Sequence, residues 1–272
     1  MIEINDLKLG GNNPFVLIAG PCVIENEDIA MHTASEIKRI TNKLKIPFIF
    51  KSSYKKANRT DLHSFIGIGD KEAIGLLGKI KSELNLTILT DVHNPDEILK
   101  VKNIVDIIQI PAFLSRQTEL LIAAGESGKV VNIKKGQFLA PEDMKFAAEK
   151  VKSTGNKKIM LTERGTTFGY HNLVVDMRSL VIMKELGYPV VMDATHSVQL
   201  PGTGSTTGGQ PKFIRSLARA AAAVGIDALF LEVHPDPSKA LSDAESQLPL
   251  KDLESILVEI KEIDSIVKRF KN

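Results

Sequence analysis

The sequence predicts a single (β/α)8 TIM barrel, in which eight parallel strands close into a ring surrounded by helices. Eight short apolar runs recur at a mean spacing of about 32 residues, separated by polar loops and amphipathic stretches. Continuous apolar runs are typical of strands buried on both faces, as in a parallel sheet covered by helices. The length of 272 residues also suits such a barrel, which typically needs about 250 residues.

The apolar runs give the strands in chain order as Phe15–Ala19, Phe48–Phe50, Thr87–Leu89, Ile107–Ile110, Val130–Ile133, Ile159–Leu161, Val190–Met192 and Ala228–Leu231. An open doubly wound sheet is the alternative arrangement of such units, and it usually carries a G-x-G-x-x-G turn after its first strand. The first run here is followed by Gly20-Pro21-Cys22, which favours the closed barrel.

Apolar residues at helical spacing predict helices between the strands, including Asp28–Leu44, Lys71–Leu84, Pro141–Lys152, Asp176–Leu186 and Gln210–Val224. The segment Pro249–Phe270 predicts a last helix that closes the ring. Residues 1–13 predict a small hairpin that plugs the barrel floor. No linker-like segment interrupts the chain, so we expect one domain with a hairpin over 1–13 and a barrel over 14–272.

The composition excludes several classes of protein. The chain has 35 basic and 33 acidic residues and a formal charge of +2, and this near-balance excludes a general nucleic-acid binder. One cysteine cannot form an internal disulfide. No apolar run approaches the roughly 18 residues of a membrane span, and the N-terminus lacks a signal-peptide pattern. We therefore expect a cytoplasmic protein with no membrane or nucleic-acid partner.

Polar or ionisable residues follow all of the predicted strands. In barrel enzymes the active site lies at the carboxyl ends of the strands, which we call the mouth of the barrel. One polar residue in such a place is usually a solvated loop residue, but a complete set indicates a site. In strand order these residues are Cys22, Lys51, Asp91, Gln109, Lys134, Glu163-Arg164, His196 and Glu232.

Four residues of the mouth are candidate metal ligands. Cys22, His196 and Glu232 follow strands 1, 7 and 8, which become neighbours only when the barrel closes. Asp243 lies in the loop after strand 8. A thiolate, an imidazole and two carboxylates suit a divalent Mn, Fe, Co or Zn ion. No local metal-binding motif is present, so a buried cysteine that only fills space is the alternative interpretation of Cys22.

Basic residues are concentrated on the same side of the predicted barrel, namely Lys51, Lys56, Arg59, Arg116, Lys134 and Arg164. Lys134 and Arg164 directly follow buried strands, and we expect them to point into the mouth. Buried positive charge is costly unless anions neutralise it, and arginine offers a bidentate fork to phosphates and carboxylates. The expected ligand is therefore one or two small polyanions.

The glycine-rich stretch 202–209 follows strand 7. It lacks the G-K-[ST] ending of a nucleotide P-loop, so we interpret it as a mobile lid over the mouth. Four histidines have no comparable placement and are interpreted as structural or solvated: His32, His63, His93 and His171. His234 is ambiguous because it lies two residues after Glu232.

Nine motifs in this order resemble those of the 3-deoxy-D-manno-octulosonate 8-phosphate synthase family over essentially the whole chain. They are Leu17-Ile18-Ala19-Gly20-Pro21-Cys22, Phe50-Lys51-Ser52-Ser53, Lys56-Ala57-Asn58-Arg59-Thr60, Thr90-Asp91-Val92-His93, Gln109-Ile110-Pro111-Ala112-Phe113, Asn132-Ile133-Lys134-Lys135-Gly136-Gln137, Thr162-Glu163-Arg164-Gly165, Asp193-Ala194-Thr195-His196-Ser197 and Leu241-Ser242-Asp243. The resemblance implies that phosphoenolpyruvate, D-arabinose 5-phosphate and water give the eight-carbon sugar acid phosphate and inorganic phosphate. It also implies a cytoplasmic step in lipopolysaccharide core synthesis.

The resemblance further implies roles for single residues. Phosphoenolpyruvate would be held by Lys51, Lys56, Lys134 and Arg164, in a site lined by Ser53 and Gln109. Arabinose 5-phosphate would be held by Asn58, Arg59, Thr60 and Asp91. Arg116 would reach the sugar phosphate from a neighbouring subunit of a homotetramer. Lys51, Asn58, Asp91 and His196 are the expected catalytic residues.

Cys22 distinguishes two lineages within that family. The metal-dependent lineage has cysteine after Gly-Pro, as here, and the metal-independent lineage has asparagine. With His196, Glu232 and Asp243 in matching positions, the resemblance implies a divalent metal cofactor. It leaves open which ion is used, and whether the ion activates the water or polarises the aldehyde.

Three other functions stay open. The related synthase that uses erythrose 4-phosphate usually has Lys-Pro-Arg-Thr where this chain has Lys56-Ala57-Asn58-Arg59-Thr60, and the additional Asn58 favours the five-carbon sugar. A Schiff-base aldolase could use Lys134, if its pKa is lowered by nearby cations. A non-catalytic barrel that binds phosphosugars would bind both ligands without turnover.

Overall fold

A computed structural model of the chain describes residues 1–57, 61–168, 171–201 and 208–270. Within these residues, eight parallel strands form the barrel wall. They are β1 (Val16–Gly20), β2 (Phe48–Lys51), β3 (Thr87–Asp91), β4 (Ile107–Ile110), β5 (Val130–Lys134), β6 (Ile159–Glu163), β7 (Val190–Asp193) and β8 (Ala228–His234). Several strands are longer than the predicted apolar runs. Their last residues carry polar side chains of the mouth, but their backbones still form the hydrogen bonds of the sheet.

The strands pair in chain order, and the ring closes between β8 and β1. In that last pairing, Phe230 lies opposite Ile18 and Glu232 lies opposite Gly20. The closure therefore brings the end of β8 next to the residues that directly follow β1. The predicted (β/α)8 TIM barrel is confirmed.

A helix follows each strand in the described part of the chain. The helices are α1 (Glu27–Leu44), α2 (Asp70–Leu84), α3 (Pro95–Val101), α4 (Thr118–Glu126), α5 (Met144–Lys152), α6 (Arg178–Glu185), α7 (Ile214–Val224) and α8 (Leu250–Arg269). Helices α5 and α7 begin a few residues after their predicted starts at Pro141 and Gln210, because a short 3-10 turn precedes each of them. Among these helices, none is both long and apolar enough to cross a bilayer.

The short helices α3 and α4 were not among the helical stretches named from the sequence. Helix α3 nevertheless begins with a recognisable pattern, because the Asn94 side chain accepts a hydrogen bond from the Glu97 backbone N–H and Pro95 occupies the first turn. Its seven residues give only two turns, too few for a clear apolar period.

The inside of the barrel is packed with side chains from the strands and from an N-terminal hairpin. The hairpin strands Ile2–Ile4 and Leu7–Leu9 pair antiparallel. Ile2, Ile4 and Leu9 are buried in one cluster with strand residues such as Ile18 and Phe230. The predicted hairpin thus closes the barrel floor. That residues 1–272 form one domain stays a prediction.

Candidate active site

Gly20 lets the chain turn into the mouth directly after β1. A Cβ atom at this position would lie 2.1 Å from the carbonyl oxygen of Lys51, so only glycine fits beside β2. The turn places Cys22 in the mouth, where it is fully buried. The sequence therefore specifies the position of the thiol through a close approach of two strands.

Three candidate metal ligands lie together at the junction of β1 and β8. The atoms of Cys22, Glu232 and Asp243 that could bind a metal ion all lie within 4.8 Å of one another. Cys22 Sγ is 3.2 Å from Asp243 Oδ2. His196 lies next to this group, with Nε2 at 3.6 Å from Glu232 Oε1. The structure thus groups three of the four predicted ligands, and the fourth, His196, lies beside the group in contact with Glu232.

The chemistry of this group fits a divalent cation. Glu232 Oε2 is buried and has no hydrogen-bond partner among the described residues, so one acceptor faces the group unused. Burial and the charge of Glu232 raise the pKa of the Cys22 thiol, an effect that a bound cation would reverse. Asp243 has a φ of 48°, a left-handed conformation that costs free energy and is concentrated at functional sites.

Lys51 lies at the centre of the mouth and is 2% exposed. Its Nζ donates to Glu232 Oε1 at 3.0 Å, to the Cys22 carbonyl at 3.2 Å and to Ser53 Oγ at 3.2 Å. Lys56 approaches the same carboxylate, with Nζ at 3.9 Å from Glu232 Oε1. Although burial alone would raise it, the pKa of Glu232 is held below its usual range by His196 and the lysines.

Lys134 and His196 share one buried carboxylate. Lys134 Nζ donates to Asp193 Oδ2 at 2.5 Å, and His196 Nδ1 is 2.7 Å from the same oxygen. Lys134 Nζ also lies 3.9 Å from the centroid of the Phe230 ring. Burial lowers the pKa of Lys134, and the charge of Asp193 opposes that effect. Asp193 therefore orients both a candidate anion-binding group and a candidate ligand.

Arg164 has one half of its guanidinium free to bind an anion. Nη2 donates to Gln199 Oε1 at 2.6 Å, whereas Nη1 is buried without a hydrogen-bond partner in the described part of the chain. The backbone N–H groups of Arg164 and Gly165 donate to Glu163 Oε1 at 3.0 and 2.7 Å. Lys135 Nζ lies 3.5 Å from the same carboxylate oxygen and donates to Thr166 Oγ1 at 3.0 Å.

Asp91 is oriented by a hydroxyl and an imidazole. Ser53 Oγ donates to Asp91 Oδ1 at 2.5 Å, and His93 Nε2 lies 3.3 Å from Asp91 Oδ2. His93 Nδ1 is 3.0 Å from Glu97 Oε2. Burial alone would lower the pKa of His93, but the hydrogen bonds with Asp91 and Glu97 raise it to about 9. Protonated His93 therefore links two carboxylates.

We expect the protonation of His93 to appear in the pH dependence of stability. Since its folded pKa of about 9 exceeds the ordinary value of 6.5, its contribution is complete below pH 6.5 and is lost as the pH rises through 9. Relative to His93→Gln, the wild type should lose roughly 3 kcal/mol of unfolding free energy from about pH 6 to about pH 10. Urea denaturation across this range measures the difference. The exposed His32→Gln is the control, and parallel curves for all three proteins would contradict the expectation.

The remaining predicted residues fall into three groups. Gln109 is buried in β4, and its Oε1 accepts a hydrogen bond from Asn132 at 3.0 Å. Arg116 is exposed and borders a surface cavity, beside Phe146 and Lys150. Three predicted sugar-binding residues lie outside the described residues: Asn58, Arg59 and Thr60.

The predicted lid is described only at its end. Residues 202–207 lie outside the described part of the chain, and Gly208–Gly209 pairs antiparallel with Gln199–Leu200. This pairing fixes the backbone of Gln199 beside the mouth. Gln199 was missed from the sequence, as were Asp193 and His93 as functional residues. Of these three, only Asp193 has a sequence feature that indicates a functional role, since it directly follows the seventh apolar run.

Comparisons with known proteins identify the family of the chain. The model of the DAHP synthetase I family matches residues 1–269. Proteins named 2-dehydro-3-deoxyphosphooctonate aldolase are similar over almost the whole chain. The one from Geotalea uraniireducens is 54% identical over 268 residues, which are 98% of each chain. Those from Geobacter metallireducens and Syntrophotalea carbinolica are 54% and 53% identical, over 98% of this chain and 98% and 97% of theirs. The chain therefore belongs to the DAHP synthetase I family.

Proposed function

We propose that the protein condenses phosphoenolpyruvate with D-arabinose 5-phosphate and water to give 3-deoxy-D-manno-octulosonate 8-phosphate and inorganic phosphate. The observation that carries this function is the convergence of three buried cations on one group of candidate metal ligands. Lys51 contacts Glu232, Lys134 contacts His196, and Arg164 reaches Asp243 through the side chain of Gln199. The names of the relatives support the eight-carbon product, because they describe enzymes that act on a phosphooctonate.

The reaction balances without an oxidant. A new C–C bond joins carbon 3 of phosphoenolpyruvate to the aldehyde carbon of the sugar, and the aldehyde oxygen gains a proton. Water adds its oxygen to carbon 2 and loses a proton. The hydroxyl so formed becomes the ketone as the C–O bond to the phosphate breaks, and its proton leaves with the inorganic phosphate. Two phosphates and a carboxylate enter the mouth, so buried cations are the required complement.

In this proposal the cations hold the phosphate and the carboxylate of phosphoenolpyruvate. Arg164 offers the free Nη1, and Lys134 and Lys51 offer buried ammonium groups at the ends of β5 and β2. Lys56 completes the anion site, which Ser53 and Gln109 line. Because Lys51, Lys134 and Arg164 are buried and held by neighbours, they are fixed before the substrate arrives and need little reorganisation in the transition state.

The sugar phosphate lies above phosphoenolpyruvate in this proposal. Asp91 binds a sugar hydroxyl, and the hydrogen bonds from Ser53 and His93 keep its carboxylate in place. Asn58, Arg59 and Thr60 are the remaining sugar contacts. Arg116, which is exposed, reaches the sugar phosphate of a neighbouring subunit in the homotetramer that the family resemblance implies.

Cys22, His196, Glu232 and Asp243 would hold a divalent Mn, Fe, Co or Zn ion. Such an ion supplies either activation of the attacking water or polarisation of the sugar aldehyde. Asp193 fixes Nδ1 of His196 at 2.7 Å and leaves Nε2 directed at Glu232. This arrangement keeps the imidazole in one orientation, as carboxylates do for metal-binding histidines in general.

Phosphate release tests the function. We expect purified, metal-supplemented protein to release inorganic phosphate from phosphoenolpyruvate with arabinose 5-phosphate and not with erythrose 4-phosphate. Release with erythrose 4-phosphate alone would identify the related synthase instead. Release with neither sugar would contradict both and favour the binding-barrel or the aldolase alternative. The proposed cellular role is a cytoplasmic step in lipopolysaccharide core synthesis.

A further inference from the structure

Gln199 connects the anion site to the candidate metal site. Its Oε1 accepts the hydrogen bond from Arg164 Nη2 at 2.6 Å, and its Nε2 donates to Asp243 Oδ1 at 3.2 Å. The side chain is buried, and both ends of its amide are used. A small displacement of either Arg164 or Asp243 must therefore break or tighten one of the two hydrogen bonds.

Two further connections run parallel to this one. Lys51 donates directly to Glu232, and Lys134 and His196 share the Asp193 carboxylate. Three of the four candidate metal ligands are thus attached to a different cation of the anion site. Gln199 is the neutral member of these connections, so its removal changes no charge.

We propose that Gln199 is a positioning residue that couples metal binding to phosphoenolpyruvate binding, so that each ligand raises the affinity for the other. The inference rests on the proposed function for the identity of the anion. Its sign follows from charge. Without a metal, Glu232 and Asp243 compete with the anion for Lys51 and for the Gln199–Arg164 pair. A dication takes over these carboxylates and leaves the cations free for the anion.

The coupling is reciprocal by thermodynamic necessity. An anion that engages Lys51 and the free Nη1 of Arg164 releases the carboxylates toward the metal. Phosphoenolpyruvate should therefore raise the metal affinity by the same factor by which the metal raises the affinity for phosphoenolpyruvate. We expect a factor of about ten, within the usual range for coupled sites.

The first test uses the wild type and needs no turnover. Co²⁺ is titrated into metal-free protein with and without phosphoenolpyruvate, in the absence of any sugar phosphate, and the thiolate-to-cobalt absorption of Cys22 reports binding. We expect the Co²⁺ dissociation constant to fall about tenfold when phosphoenolpyruvate is present. An unchanged dissociation constant would overturn the proposal. Normal phosphate release without coupling would contradict the coupling and support the proposed function. Coupling without phosphate release would support the coupling and contradict the proposed function.

The second test compares two buried glutamines. Gln199→Leu removes the connection, and we expect it to lower the coupling factor to about a third of the wild-type value. Among the described residues, Gln247 hydrogen-bonds only on the side of the candidate metal site. Its Oε1 accepts from the Cys22 N–H at 3.3 Å and its Nε2 donates to the Ser242 carbonyl at 2.9 Å. Gln247→Leu should weaken Co²⁺ binding equally with and without phosphoenolpyruvate.

The coupling factor separates positioning from general damage. A variant that merely loosens the fold weakens both titrations together and leaves their ratio unchanged. If Gln199→Leu keeps the wild-type ratio, or if Gln247→Leu lowers it as much, Gln199 is not the coupling residue. Should Gln199→Leu fail to fold, the wild-type titration still decides whether the two sites are coupled.

Discussion

Removal of divalent metal is expected to lower the rate of phosphate release more than about a thousandfold. Cys22, Glu232 and Asp243 form a buried group with an unused acceptor on Glu232 and a strained backbone at Asp243, an arrangement that a cation stabilises. Extended dialysis against a chelator, with the metal content measured, should give inactive protein. Addition of Mn²⁺, Co²⁺ or Zn²⁺ should restore activity.

Cys22→Asn provides a sharper version of this test. The substitution places an amide where the thiol lies and recreates the residue of the metal-independent lineage. We expect weaker metal binding together with residual turnover that no longer responds to the chelator. Full activity of the wild type after verified metal removal would contradict the metal hypothesis, whatever the variant does.

Lys134→Met is expected to lower kcat/KM for phosphoenolpyruvate by about a thousandfold. The ammonium group is buried at the end of β5 and hydrogen-bonded to Asp193, so its loss removes a fixed positive charge from the anion site. Steady-state phosphate release measures the effect. Lys157→Met is the matched control, because Lys157 is exposed and lies in the loop between α5 and β6.

The same lysine separates two chemistries. If Lys134 formed a Schiff base, borohydride in the presence of substrate would attach the substrate covalently to the wild type and not to Lys134→Met. We expect no such labelling, with phosphate release intact in the wild type. Labelling that depends on Lys134 would favour the aldolase alternative over the proposed condensation.

The barrel could be predicted from the sequence because burial on both faces leaves a strong apolar signal in each strand. The proximity of Cys22 to Glu232 then followed from the topology alone, since closure of the ring pairs β8 with β1 and places Glu232 opposite Gly20. No local spacing contained this information. The strand ends were less accurate, because polar mouth residues such as Lys51 and Asp91 still belong to their strands.

The residues that sequence reasoning missed act through other side chains. Asp193, Gln199 and His93 orient candidate ligands or candidate substrate contacts, and nothing in their local pattern indicates which group each of them reaches. Their roles depend on distances between strands and loops that are far apart in the chain. A three-dimensional structure was needed to find them.

The packed floor gives the barrel the shape of a cup with one opening. Ile2, Ile4 and Leu9 fill the lower end, so every ligand enters and leaves through the opposite end. Whichever ligand contacts the deepest residues must then arrive before the ligand that covers it. In the proposed reaction, a closed floor would therefore require the deeper substrate to bind before the substrate that covers it.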